Sequence, residues 1–292
     1  MNSLAPRHLA LLVLVCAAWG FNLVAIHWGM AQSPPIFLSF LRFATLAVCL
    51  VPFLKPRAGD FGWLLLASVC SGGLQFALLF VGISLSGNLS SVAIAGQLGV
   101  PFTTLLSILL LGETVRWRRW AGIAMSVSGV CIMGFDPTVL DSPTGLWLVI
   151  GGAASGALGV VAVKKAGPVR PLELQAWFAW SSLPVLAALT WWFEDGQLQA
   201  LASADKALLW SVLYSALVSS LFAHTVFFAL VQRYPVSQVM PITLLAPVFS
   251  VAFVVMFVGE ALGWRIWVGG LLTLAGVLVI ELRKRRLAEA GA

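Results

Sequence analysis

Charged residues are scarce in this sequence. Asp, Glu, Lys and Arg make up 10% of the 292 residues, against about 25% in soluble domains. Hydrophobic residues make up 60%, so the chain has too little polar surface to cover a fold in water. The composition argues against a soluble enzyme and predicts a protein buried largely in a lipid bilayer.

The chain also lacks the residue clusters that metal, redox and nucleotide chemistry need. Its glycine-rich runs do not end in the Gly-Lys-Ser/Thr of a nucleotide-binding loop. The net charge of +6 comes from basic residues between and after apolar runs, not from one basic face, so no nucleic-acid partner is expected. We expect no cofactor, because the four cysteines fall in predicted spans without paired spacing: Cys16, Cys49, Cys70 and Cys131.

Apolar runs long enough to cross a hydrocarbon layer of about 30 Å recur along the chain. Breaks at charged residues, Pro and Gly predict ten of them. They cover residues 9–29, 35–54, 62–83, 89–111, 119–135, 144–163, 172–193, 207–230, 236–258 and 263–282. The first follows Arg7 and His8 as a signal peptide would, but it continues to Met30 and is predicted to remain uncleaved.

The basic residues predict the orientation of these spans. With the N-terminus inside, 14 of the 17 Lys and Arg residues face the cytoplasm. Lys206 and Arg265 fall in outer loops, and Arg42 lies within the second span. Because cytoplasmic loops carry the excess of Lys and Arg, we predict ten spans with both termini inside. The cytoplasmic set is Arg7, Lys55, Arg57, Arg116, Arg118, Arg119, Lys164, Lys165, Arg170, Arg233, Arg283, Lys284, Arg285 and Arg286.

Two segments share one pattern at a constant offset of 147 residues, which indicates an internal repeat. The repeat unit is five spans, residues 1–136 and 137–292, and because five is odd the second copy crosses the membrane in the opposite sense. Inverted repeats are typical of secondary transporters, with the substrate site at the repeat interface near the midplane. The matching residues are Gly112, Glu113, Trp117, Trp120, Gly122 and Gly129 with Gly259, Glu260, Trp264, Trp267, Gly269 and Gly276.

Several short motifs along the chain resemble one family of carriers. Trp19-Gly20, Pro34-Pro35 ahead of Arg42, and the two Gly-Glu pairs are similar to the drug/metabolite transporter superfamily, EamA type. The resemblance implies an all-α fold of ten transmembrane helices, in two inverted five-helix repeats around a central cavity. Within the superfamily the chain most resembles YddG-type exporters, which implies export of aromatic and other amino acids across the bacterial inner membrane.

Two ionisable side chains lie within predicted spans, where charge is costly unless it faces a cavity or a partner. Arg42 is a candidate for binding a substrate carboxylate, with a structural arginine that bonds helix carbonyls as the alternative. His224 is a candidate for coupling or substrate binding, with packing as the alternative. No acidic residue falls in the middle of a predicted span, which favours facilitated transport over a carboxylate relay.

Uncharged polar and aromatic side chains supply the remaining candidates for the substrate site. Gln75 and Gln97 approach mid-membrane, and Asn22 is a third candidate that can bond a substrate or join helices. Trp19 and Trp177 lie deeper than the tryptophans that are typical interface anchors. Further polar or aromatic residues in or at the ends of spans are Asn88, Gln175, Gln238 and Trp180.

Prolines interrupt two spans that occupy matching places in the repeats. Pro101 lies in the fourth span, and Pro241 and Pro247 lie in the ninth. A proline frees backbone carbonyls and permits a bend. We therefore predict paired hinges for alternating access, although membrane helices also contain prolines that do not move.

The sequence favours a secondary transporter that exports amino acids and related small metabolites. Its partners would be the substrate and the lipid bilayer, and a monomer is expected. Three alternatives stay open: an exporter of sugars, nucleotides or drug-like compounds, a channel, and a membrane-embedded transferase. The transferase is disfavoured because His8, His27 and His224 are dispersed and have no acidic partner nearby in the sequence.

Overall fold

A computed structural model of the chain describes residues 5–55, 61–112, 117–167, 169–234, 239 and 242–290, and these residues form helices and no strand. Two short helices, Pro137–Leu140 and Gln197–Ala202, lie in connections. The long helices are α1 (Pro6–Met30), α2 (Pro35–Leu50), α3 (Phe61–Leu85), α4 (Leu89–Leu111), α5 (Trp117–Gly134), α6 (Pro143–Ala166), α7 (Pro171–Phe193), α8 (206–233), α9 (Leu245–Val258) and α10 (Trp264–Ala290).

The length and hydropathy of the helices support membrane spanning. Among the described residues, α1, α3, α4 and α6, together with Pro35–Phe53 and Lys206–Phe227, are long and apolar enough to cross a bilayer. Trp120–Gly134, Leu245–Val258 and Trp264–Val279 are shorter apolar helices. The helix α7 has 23 residues and is long enough to cross a bilayer. It is not among these apolar helices, because its Glu, Gln and Ser residues lower its mean hydropathy. An all-helical, multi-pass protein is therefore confirmed, while the count of ten spans and the inside termini stay predictions.

The helix pair α5 and α10 shows how the two predicted repeats meet. A Cβ on Gly129 would lie 2.5 Å from the Gly269 carbonyl oxygen, and a Cβ on Gly276 would lie 2.6 Å from that of Gly122. Residues later in α5 thus face residues earlier in α10. The two helices run antiparallel at backbone contact, a packing that only small residues permit.

Glycines of the repeated pattern also end two helices. Gly112 follows α4 with φ 66°, and Gly259 follows α9 with φ 77°. This left-handed conformation is favourable for glycine, which has no Cβ, and it terminates the helix. The Gly-Glu pair in each copy therefore marks the end of the fourth predicted span and of its counterpart.

Two carboxylates at the predicted outer ends cap helices of the first repeat. Glu194, after α7, accepts hydrogen bonds from the backbone N–H groups of Ile36 at 2.6 Å and Phe37 at 2.9 Å. Glu260, after α9, accepts from those of Leu89 at 2.6 Å and Ser90 at 3.1 Å. A carboxylate is favoured at a helix N-terminus because it satisfies free N–H groups and the helix dipole.

The predicted proline interruptions correspond to breaks in regular helix. In α4 a 3₁₀ turn, Gly96–Leu98, precedes the segment Gly99–Leu111, whose third residue is Pro101. Pro247 is likewise the third residue of Leu245–Val258, which follows a turn at Leu244. Pro241 lies outside the described residues. The breaks are present at the two described prolines, and their movement stays a prediction.

Candidate functional site

A small pocket lies between α2, α3, α7 and α8, the second and third helices of each predicted repeat. Its volume is about 60 Å³. Three phenylalanines and Leu46 supply its apolar walls. The polar and aromatic lining residues are Arg42, Ser71, Gln175, Ser220, His224, Phe43, Phe76 and Phe178.

Arg42 is the charged group of this pocket, and its side chain is only 3% exposed. Its Nε and Nη2 atoms donate to the Ser220 hydroxyl at 3.1 and 2.8 Å. Its guanidinium carbon lies 4.5 Å from the ring centroid of Phe76, within the range of a cation–π interaction. Among the described residues Nη1 has no hydrogen-bond partner. The guanidinium is thus fixed in place while one donor group remains open.

Two π-helical segments form part of the pocket wall. Val69–Leu74 interrupts α3 and Tyr214–Phe222 interrupts α8. The Ser220 hydroxyl donates to the Ser215 carbonyl at 2.9 Å, five residues earlier. Such segments are rare and often occur at functional sites. Sequence analysis missed them, although the small residues Ser71-Gly72-Gly73 and Ser219-Ser220 mark both positions.

His224 shares the pocket lining with Arg42 and contacts Trp19. The His224 Nδ1 atom is 2.9 Å from the Ser219 carbonyl oxygen. The ring centroids of His224 and Trp19 are 5.1 Å apart. The Trp19 Nε1 donates to the same carbonyl at 3.1 Å. The structure therefore brings three predicted site residues together, with Trp19 reaching the pocket lining through His224.

The other predicted substrate residues lie outside the lining of this pocket. The Gln75 amide packs on Gly156 of α6, and Gln97 lies in the 3₁₀ turn of α4. The Trp177 ring centroid is 5.4 Å from that of Phe61. Asn22 is buried in α1, and its Oδ1 has no hydrogen-bond partner among the described residues. A substrate contact for these four residues stays a prediction.

A wider cavity of about 740 Å³ lies at the predicted cytoplasmic end, and we call it the cytoplasmic cavity. Two helices that line it, α7 and α8, also line the pocket around Arg42, which we call the Arg42 pocket. On α7, Glu173 lines the cytoplasmic cavity and Gln175 lines the Arg42 pocket. On α8, Thr225 lines the cavity and His224 lines the pocket. The cavity is further bordered by Pro52, Phe53, Lys55, Val169, Arg170, Pro171, Leu172 and Ala229.

These features together define a class of protein. Apolar helices, an antiparallel contact between matching helices and a pocket between repeats that contains a buried charge are typical of secondary transporters. Among the described residues no group of three or more His, Cys, Asp or Glu could hold a metal ion. The helices and the pocket thus define a polytopic membrane carrier.

Comparison with known proteins assigns the family. The family model described as "EamA-like transporter family" matches residues 7–135 and 143–282, one match in each half of the chain. This protein belongs to the EamA-like transporter family, and its chain has the two-repeat organisation of that family. The predicted resemblance to EamA-type carriers is thereby confirmed.

Curated relatives share this assignment along nearly their whole length. A protein from Salmonella typhimurium, named as a probable amino-acid metabolite efflux pump, is 30% identical over 96% of this chain and 97% of its own. A protein of the same name from Escherichia coli strain K12 is 28% identical over 97% of each chain. A solved crystal structure matches 96% of this chain and 98% of its own with a TM-score of 0.60, and its 18% identity supports likeness of fold alone.

The family and the apolar helices make this an integral, multi-pass membrane protein. A further relative, 26% identical over 89% of this chain and 86% of its own, is named as an inner membrane transporter. The predicted inner-membrane location is confirmed by these findings. The family and the names of its relatives point to a transporter and not to an enzyme.

Proposed function

We propose that this protein exports amino acids and related small metabolites from the cytoplasm by alternating access. The substrate would bind in the pocket between α2, α3, α7 and α8, with Arg42 paired to its carboxylate. His224 and Trp19 would form the neighbouring wall, and the breaks before Pro101 and Pro247 would serve as hinges. The two repeats would then rock about this central site.

The observation that carries the proposal is the buried guanidinium of Arg42. Its partners in the described residues are one serine hydroxyl and phenyl rings, and Nη1 is unpartnered. A charge held at such depth is costly, and it is retained in membrane proteins where it serves a substrate pathway. The names of the relatives, amino-acid metabolite efflux pumps in two cases and an amino-acid exporter in a third, support an anionic carboxylate as its ligand.

Facilitated transport follows from the absence of acidic residues in the middle of the predicted spans. A carboxylate relay through the membrane would use Asp or Glu, and neither is found among the described residues that line the Arg42 pocket. We therefore expect movement of substrate down its own gradient without an obligatory proton gradient.

Uptake into proteoliposomes tests this proposal directly. Radiolabelled phenylalanine, threonine and lysine would be offered with and without an imposed pH gradient. We expect saturable uptake and counterflow without a gradient requirement. Arg42→Lys should lower uptake at least about tenfold, because an ammonium cannot reproduce the planar, multidentate guanidinium. Arg265→Lys, on the outer side where Arg265 lies over Trp264 at 5.2 Å, is the matched control.

The outcomes separate the alternatives. Absence of flux for all three amino acids would contradict the proposal and direct the same assay to sugars, nucleotides and drug-like compounds. Linear flux without counterflow would indicate a channel. Equal loss of uptake in Arg42→Lys and Arg265→Lys would remove the special role given to the buried guanidinium.

A further inference from the structure

Two side chains of the Arg42 pocket leave three polar groups open. Arg42 is 3% exposed and Gln175 is 7% exposed. The Arg42 Nη1 atom and both amide atoms of Gln175, Nε2 and Oε1, have no hydrogen-bond partner among the described residues. A buried polar group without a partner is destabilising, by an amount similar to the loss of a hydrogen bond. Two such side chains lining one pocket indicate a binding site for a polar group.

The chemistry of these groups selects an oxygen acceptor. The guanidinium offers N–H donors and no acceptor, and the Gln175 amide nitrogen offers two more. A carboxylate is acceptor-only and carries the charge that complements Arg42. The Gln175 Oε1 atom is left to accept an N–H group, which the ammonium of an α-amino acid supplies next to its carboxylate.

The size of the pocket indicates which part of a substrate it holds. About 60 Å³ accommodates a few water molecules or one carboxylate group, since a cavity volume of about 10–15 Å³ is enough to hold one water molecule. It does not accommodate an aromatic amino acid. The remainder of such a substrate would need a larger space, such as the cytoplasmic cavity of about 740 Å³.

The cytoplasmic cavity provides an approach with suitable charge. Among the described residues Lys55, Arg170 and Glu173 line it, so its basic residues outnumber its acidic one. Basic residues around a cavity raise the local concentration of anions. A carboxylate attracted into the cavity is thereby brought to the cytoplasmic ends of α7 and α8, the helices that also carry the pocket residues Gln175 and His224.

We propose that Arg42 and Gln175 form a carboxylate site at the inner end of the cytoplasmic cavity. Substrates bind there with the carboxylate first and the side chain in the cavity, and the carrier rejects analogues whose carboxylate is blocked. Gln175 is thus a specificity-determining residue. This inference rests on the proposed function and adds to it a second residue of the site, Gln175, the discrimination against blocked carboxylates and the orientation of binding.

Competition between an acid and its amide tests the proposal. Uptake of radiolabelled phenylalanine into proteoliposomes would be inhibited with unlabelled phenylalanine or phenylalaninamide. We expect the amide to inhibit at least about tenfold more weakly, because a site built to bond one group discriminates strongly against an analogue that lacks it. Gln175→Leu should reduce the ratio of the two inhibition constants, amide over acid, towards one. Gln175→Glu should invert this ratio, because its carboxylate repels that of the substrate. Gln199→Leu, at an exposed position, should leave the ratio unchanged.

A binding measurement separates this inference from the transport function. The shift in unfolding temperature with phenylalanine or its amide would be recorded on detergent-purified protein and on each variant. Stabilisation by the acid alone, lost in Gln175→Glu, supports the carboxylate site even if no flux is found, in which case the transport proposal fails. Equal inhibition and equal stabilisation by acid and amide in the unaltered protein overturn the carboxylate site while transport stands. An unchanged ratio of amide to acid inhibition in both Gln175 variants would show that Gln175 is not part of the carboxylate site.

Discussion

Ser126 and Thr273, which are 147 residues apart, hydrogen-bond to each other's backbone. The Ser126 hydroxyl lies 3.3 Å from the Thr273 carbonyl oxygen, and the Thr273 hydroxyl lies 3.4 Å from the Ser126 carbonyl oxygen. The separation equals the offset of the sequence repeat. Equivalent residues of the two copies thus meet face to face, which is the relationship expected across a two-fold axis between inverted repeats.

The close contact between α5 and α10 leads to the first prediction. A Cβ on Gly129 would overlap the Gly269 carbonyl, so Gly129→Ala should separate the helices and lower the unfolding temperature in detergent. Gly151→Ala is the matched control, because its Cβ would lie 3.7 Å from Leu78 and alanine favours a helix by about 1 kcal/mol. Equal unfolding temperatures for the two variants would contradict the packing role.

The carboxylate of Glu194 gives a second prediction. Glu194→Gln removes the charge that caps α2 through Ile36 and Phe37, and it should destabilise the protein by about 1–2 kcal/mol. Asp195→Asn changes the same charge at the neighbouring, exposed position and should have little effect. Chemical or thermal unfolding followed by intrinsic fluorescence checks the difference. A larger effect at Asp195 would show that loop charge, and not the cap, matters.

Acid sensitivity at the outer end of α8 is the third prediction. Hydrogen bonds from the Leu208 backbone and the Gln32 side chain lower the pKa of Asp205 below its ordinary value of 3.8. A lowered pKa stabilises the fold above the ordinary value, and this contribution is lost as the pH falls through the folded-state pKa. Below about pH 4, the unaltered protein should therefore lose stability faster than Asp205→Asn, whose amide does not titrate. Parallel unfolding curves from pH 5 to 3 would exclude this contribution.

The helix breaks before Pro101 and Pro247 give the fourth prediction. Pro101→Ala and Pro247→Ala restore a backbone donor and favour continuous helix. We expect slower substrate uptake with an unfolding temperature that is unchanged or raised. Pro184→Ala is the matched control, because Pro184 lies inside α7 at an exposed position away from either break. Unchanged uptake in both break variants would exclude hinging at these positions.

Hydropathy and basic-residue placement predicted most of the helical segments. The bounds of α1 to α8 differ from the predicted spans by a few residues, because helix ends depend on caps that a hydropathy pattern does not contain. Glu194 illustrates this point, since it caps a helix that begins 159 residues earlier in the sequence, at Pro35. In the ninth predicted span, residues 236–238, 240 and 241 lie outside the described part of the chain.

The candidate site was less predictable than the helices. Arg42 and His224 stood out because ionisable groups are costly in apolar spans, and the structure places both in one pocket lining. Gln75 and Gln97 were preferred over Gln175 because they approach mid-membrane. Depth alone does not say which side of a helix faces a cavity, and the π-helical segments in α3 and α8 further shift the side-chain directions.

The sequence by itself determined the membrane class, the internal repeat and the scarcity of buried charge, because these depend on composition and on the spacing of residues along the chain. Only the tertiary structure decided that Ser126 meets Thr273 and that Gln175, not Gln75, shares a pocket with Arg42. Contacts between helices depend on rotation about each helix axis. That rotation is set by packing against distant neighbours, which a local pattern does not specify.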